Sequence, residues 1–118
     1  MTDNSDNATH LLHHEELEKG KIHKTVVVQI GNTDNKLTQA DWANFYNRCN
    51  NLVSDYGIIH FSGTSLPNSP WQNACFVIEM SSMDDLYYQL GILAKSFKQN
   101  NIALTIGDTE FVKARNVL

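Results

Sequence analysis

The chain has little cysteine, little positive charge and no long hydrophobic run, and each scarcity closes off a class of function. Its two cysteines, Cys49 and Cys75, fall inside segments that read as regular elements. Buried free thiols fit that placement better than a disulfide framework, and no metal-ligand spacing surrounds them. No apolar run approaches the ~18–20 residues needed to cross a bilayer, so no membrane partner is expected. The opening MTDNSDNATH is polar and acidic, with no basic region ahead of an apolar one; no secretory leader is read, and a cytoplasmic location is the default expectation. Nine Lys and Arg stand against thirteen Asp and Glu, a net charge of −4. That balance argues against gripping duplex nucleic acid by neutralising its phosphates, although a few backbone N–H groups suffice for one small anion. Nothing marks a cofactor or metal site.

What is present is enough apolar residue for one core: 42% of 118 residues. Residues 1–22 read as a flexible polar N-terminal arm in which only Leu11, Leu12 and Leu17 are available for burial. Its His10, His13, His14 and Glu15, Glu16, together with His23, read as a solvated face rather than a metal cluster. Residues 23–112 hold the regular pattern, and 113–118 form a tail. KTVVVQI is a strand closed by Gly31-Asn32. In LTQADWANFYNRCNNLVSDYG, the residues Trp42, Phe45, Cys49, Leu52, Val53 and Tyr56 recur at helical spacing. Thr38 is its cap, Asp41 completes a capping box, and Leu37 staples to Trp42. GIIHFS and NACFVIEM are strands joined by the loop SGTSLPNSPWQN. A second helix follows, capped by Ser82 with Asp85 three residues on, and Leu86, Leu90, Leu93 and Phe97 as its stripe. Asn100-Asn101 stops it, and NIALTI is the last strand.

Strand, helix, strand, strand, helix, strand is the split βαβ order of the ferredoxin-like fold. The expected class is therefore α+β, a βαββαβ chain with a four-stranded antiparallel sheet and both helices on one face. Alternation turns Val26, Val28, Ala74, Phe76 and Ile78 toward the helices. It leaves Val27, Gln29, Cys75 and Val77, with His60 and Thr105, on the open face. With no aromatic to stack bases on the central strands, that face does not read as an RNA platform. A half-apolar open face suits a homo-oligomer contact, or cover by the arm or tail, instead.

Following the chain direction brings the GNTDNK turn, the start of the first helix, the loop ending in WQN and the KQNN connection to one end of the fold. Asn32, Asp34, Lys36, Gln39, Trp42, Trp71, Gln72, Asn73 and Gln99 gather there. They read either as a polar ligand pocket rimmed by tryptophan or as turn and cap chemistry with Trp71 in the core. WQN presses the question, because two large amides in succession have no turn-forming role. Catalysis has a thinner basis: His60 can meet Cys75 or Asp34 in space, Asp34 and His60 being the pair a small hydrolase or isomerase would use. A satisfied structural histidine accounts for it better, and no catalytic residue is assigned.

The segments IGNTDNKLTQADW, PWQNACFVIE, FKQNNIAL and DTEF resemble a family of small, functionally unassigned bacteriophage and bacterial proteins, over about residues 28–111. The resemblance points to the same nine positions. It implies a small antagonist of a host system that binds a nucleotide-like ligand or a host protein. Three functions are carried forward: a non-enzymatic module for a small polar or nucleotide-like ligand, a protein-interaction module using the open face or an edge strand, and a hydrolase or isomerase.

Overall fold

Val26, Val28 and Ile30 alternate along one strand, and each lies opposite a buried residue of another: Ile78, Phe76 and Ala74. In this computed structural model, which describes residues 23–80 and 85–117, the two strands are β1 (His23–Gly31) and β3 (Asn73–Met80), paired antiparallel at the centre of the sheet. β2 (Gly57–Thr64) and β4 (Ala103–Thr109) are the edges, giving the order β2-β3-β1-β4. With helices α1 (Gln39–Ser54) and α2 (Leu86–Ser96) supplying the same core as the inward face of β1 and β3, the fold is ferredoxin-like. The chain divides into two compact units, Thr25–Ile106 and a second made of Met1–Lys24 with Gly107–Leu118. In the second unit Lys24 pairs with Asp108, while Phe111, Val112 and Val117 are exposed. The expected arm, its leucines and its histidine cluster lie outside the described residues, His23's side chain included.

α1 starts where its sequence dictates. Thr38 Oγ1 accepts the Asp41 N–H at 3.1 Å, which satisfies one of the orphan donors of the first turn. Trp42, Phe45, Cys49 and Val53 then bury one stripe against the sheet. The helix hands over to β2 through Gly57, where any side chain would collide with backbone: a Cβ there would sit 2.1 Å from the Glu79 carbonyl oxygen. α1 also holds β2 laterally, with Tyr46 Oη donating to Ser62 Oγ at 3.2 Å and the Tyr46 ring 5.1 Å from that of Phe76.

α2 begins later than its sequence suggests. Its first helical residue is Leu86, preceded by Asp85 in the left-handed region (φ 52°) with no side-chain capping bond. The Asp85 carboxylate accepts instead from Tyr56 Oη, so the side chain expected to support the cap is engaged by the end of α1. Ser82, the expected cap, lies outside the described residues. At its far end α2 stops at Ser96, short of Asn100, because Lys98 adopts φ 60° and the chain turns back. The Lys98 and Gln99 N–H groups donate to Lys95 O and Ala94 O at 3.1 and 2.9 Å, a Schellman closure with lysine where glycine is usual. Phe97 stacks on Phe45 at 4.8 Å and fixes that turn to the core.

One feature of β2 departs from simple alternation. Ile59 lies opposite Ile78 but Phe61 lies opposite Val77, so the strand carries a bulge at His60. Strict alternation would put Ile59 and Phe61 on one face; the extra residue sends Phe61 outward, 70% exposed. The open face was expected to hold no aromatic, and it holds this one, on an edge strand.

Candidate functional site

The sheet end formed by the β1–α1, β2–β3 and α2–β4 connections is held together by side-chain amides. Asn32, immediately after β1, is fully buried. Its Oδ1 accepts the Leu37 N–H at 2.8 Å and its Nδ2 donates to Leu37 O at 3.1 Å. Because a backbone N–H can only donate, these two bonds fix which way the Asn32 amide points. Nδ2 therefore also donates to Gln72 Oε1 at 3.1 Å, which fixes the Gln72 amide in turn. Gln39 completes the chain: its Nε2 donates to Gln72 Oε1 at 3.1 Å and its Oε1 accepts from Gln72 Nε2 at 2.8 Å. A backbone bond from Asn32 N to Gln72 O at 2.8 Å runs beside them. Asn32, expected either at a ligand pocket or in turn chemistry, lies inside the fold with both ends of its amide engaged.

The other expected residues divide in the same way. Gln99, 7% exposed, accepts the Thr33 N–H at 3.3 Å and donates to Phe97 O at 3.1 Å, tying the α2–β4 turn to the β1–α1 turn. Asn73 enters β3 with its N–H on Ser65 Oγ at 3.0 Å and its Nδ2 on Trp71 O at 3.0 Å, which braces the neck of the 65–72 loop. Gly31 allows this approach, since a Cβ there would lie 2.8 Å from Asn73 Oδ1. Asn35, which sequence reading did not single out, donates to Pro70 O at 3.3 Å. Asp34 and Asn35 both occupy the left-handed region (φ 58° and 53°), which Asp and Asn tolerate better than most residues. Asp34 and Lys36 are exposed and make no side-chain hydrogen bond or ion pair among the described residues.

Between the loop and the start of α1 lies a cleft of about 520 Å³, walled by Trp42, Trp71, Gln72, Asn73, Asn35 and the loop's Ser65, Leu66, Pro67, Ser69 and Pro70. Trp42 is mostly core, edge-on to Phe45 at 6.0 Å, and reaches the cleft from below. Trp71 is half-buried at its side. No ionisable side chain lines it among the described residues. This arrangement offers aromatic surface and amide donors and acceptors in a concave site, without charge.

The remaining chemistry-bearing residues sit apart. His60 Nε2 is 3.1 Å from Glu79 Oε1 on the outer sheet face, and no contact of His60 with Asp34 or Cys75 is observed. Burial pushes the Cys49 thiol up to about 12, so it is a core residue rather than a nucleophile. Among the described residues no three His, Cys, Asp or Glu side chains are grouped to hold a metal, and no helix is long and apolar enough to cross a membrane.

No family model matches the chain, and no curated protein matches it. Among solved structures it is similar to a formyltetrahydrofolate deformylase from Pseudomonas syringae pv. tomato, at 17% identity and a TM-score of 0.46, over 86% of this chain and 33% of that one. It thus spans about a third of that enzyme's length. It is also similar to a dimeric ferredoxin-like protein from an uncultured marine organism, at 8% identity and a TM-score of 0.33, over 80% of this chain and 97% of that one. The fold assignment rests on the strand order and shared core described above.

Proposed function

We propose that the protein is a non-enzymatic binding module that holds a neutral, planar, polar ligand of the nucleobase or nucleoside kind in the cleft between Trp42 and Trp71. The observation that carries this reading is the wall itself: two indoles and the Gln72 and Asn73 amides, with no charged group facing in. Aromatic surface contributes area and stacking with little conformational cost, and side chains already held by neighbours lose little entropy when a ligand arrives. The absence of charge favours a base over its phosphates. A small antagonist of a host system, as the resemblance to phage proteins implies, would sequester a signal compound in this way.

The experiment is a thermal-shift screen of the purified chain against nucleobases, nucleosides and nucleotides, repeated on Trp71→Ala. A ligand at about ten times its Kd raises the stability of the fold by about 1.4 kcal/mol. Stabilisation by a nucleoside in the parent and none in the variant supports the reading; an indifferent panel removes it.

The outer sheet face supports a second reading, as a protein-interaction module. Ile58 and Phe61 are 63% and 70% exposed there, next to the half-buried Val27 and Val77. Two large exposed apolar side chains beside an apolar strip are the makings of a partner contact. Charged substitutions at Val27 and Val77 that leave the fold intact and abolish capture of a host protein would favour it over the cleft.

A further inference from the structure

A second cleft, of about 470 Å³, opens between α2 and β4 because α2 presents small residues there. A Cβ added at Gly91 would meet nothing within 4 Å, and the next small residue along that side, Ala94, is part of the buried floor with Leu90. Leu104 of β4, half-buried against the core, forms the opposite wall. Like the tryptophan cleft it has no carboxylate, but unlike it the rim carries a basic side chain, Lys95, beside Asn100 and Asn101.

We propose that this cleft binds a small monocarboxylic acid with a short branched apolar group, the carboxylate at Lys95 and the apolar end in the hollow beside Gly91. Lys95 is the one basic side chain in the lining, and among the described residues it makes no ion pair and the Asn100 and Asn101 amides make no hydrogen bond. Three sets of donors therefore share one rim with no partner among the described residues. Two carbonyls at the end of α2 that would repel an anion if bare are engaged: Ala94 O accepts from Phe97 N and Gln99 N, and Lys95 O from Lys98 N. The volume lies within the range of small-molecule sites, and the floor is apolar where the rim is cationic, which is the polarity of a short fatty or branched acid.

The test is a ¹⁵N NMR titration of the full chain with 4-methylpentanoate and, as a matched neutral probe, 4-methylpentanamide. The expected result is a shift of the Gly91, Lys95, Asn100 and Asn101 amide signals with the acid, at least about tenfold weaker with the amide and in Lys95→Gln, the loss of one charge-assisted hydrogen bond. Gly91→Leu fills the hollow and should abolish the shifts while the melting temperature holds or rises. Equal response to acid and amide, shifts that survive Gly91→Leu, or silence up to about 10 mM acid overturns the proposal. Should Gly91→Leu not fold, Lys95→Gln decides alone, since Lys95 is exposed and its replacement leaves the core untouched.

Discussion

Gln72 Oε1 accepts two hydrogen bonds, from Asn32 Nδ2 and from Gln39 Nε2, both at 3.1 Å. One oxygen thereby joins the end of β1, the first turn of α1 and the approach to β3. Asn32, the buried donor, serves the fold, and Gln72 itself presents its remaining surface to the tryptophan cleft.

Asn32→Ala removes both bonds to Leu37 and leaves a buried N–H and C=O without partners. It should destabilise the chain by about 2–3 kcal/mol in urea denaturation, whereas Gln39→Ala, at an exposed position, should cost less than about 1 kcal/mol. Equal effects would place the strength of the network outside Asn32.

The two tryptophans should separate by role. Trp42→Ala opens the core and should cost about 3–5 kcal/mol. Trp71→Ala, half-buried at the cleft, should lower affinity for a bound nucleoside by about tenfold or more, from lost stacking, with a much smaller change in stability. Paired denaturation curves and ligand titrations check both.

Lys98→Gly should stabilise the protein by about 0.5–1 kcal/mol, since the φ of 60° strains lysine and suits glycine at this helix end. Gly57→Ala should act in the opposite sense, by about 1–3 kcal/mol, because its new methyl meets the Glu79 carbonyl. Calorimetric melting of the two variants reads both signs.

The cysteines should differ toward thiol reagents. With its thiol raised from 9.0 to about 12 by burial, Cys49 stays protonated and enclosed at pH 8, so native protein should yield one fast-reacting thiol, the half-buried Cys75, and two once denaturant is added. The unfolded chain ionises Cys49 near 9 and the folded chain does not. This group's contribution to stability is therefore full below pH 9 and declines as the pH climbs toward 12. A Cys49→Ala variant should lose that decline.

Much of the fold was legible because it rests on local periodicity. The alternation of Val26, Val28, Phe76 and Ile78 and the stripe Trp42, Phe45, Cys49 and Val53 are written into spacing alone, and the Thr38 cap into residue type. The start of α2 was not legible, because the fate of Asp85 is decided by Tyr56, 29 residues away. The outward turn of Phe61 was hidden for a similar reason: a bulge exists only in the register between two strands. At the candidate site, topology foretold that Asn32, Gln39, Gln72, Asn73 and Gln99 would meet. Which of them would bind each other depends on side-chain directions that residue identity leaves open.

The bulge at His60 has a bearing on self-association. A flat, regular outer strand is a template on which another chain can build a continuous ladder, and β-rich proteins clump by that route. Here the outermost strand is interrupted midway, so it offers a neighbour two short stubs instead of a continuous row of donors and acceptors. The same bulge turns Phe61 onto the outer face, 70% exposed, beside the interrupted seam.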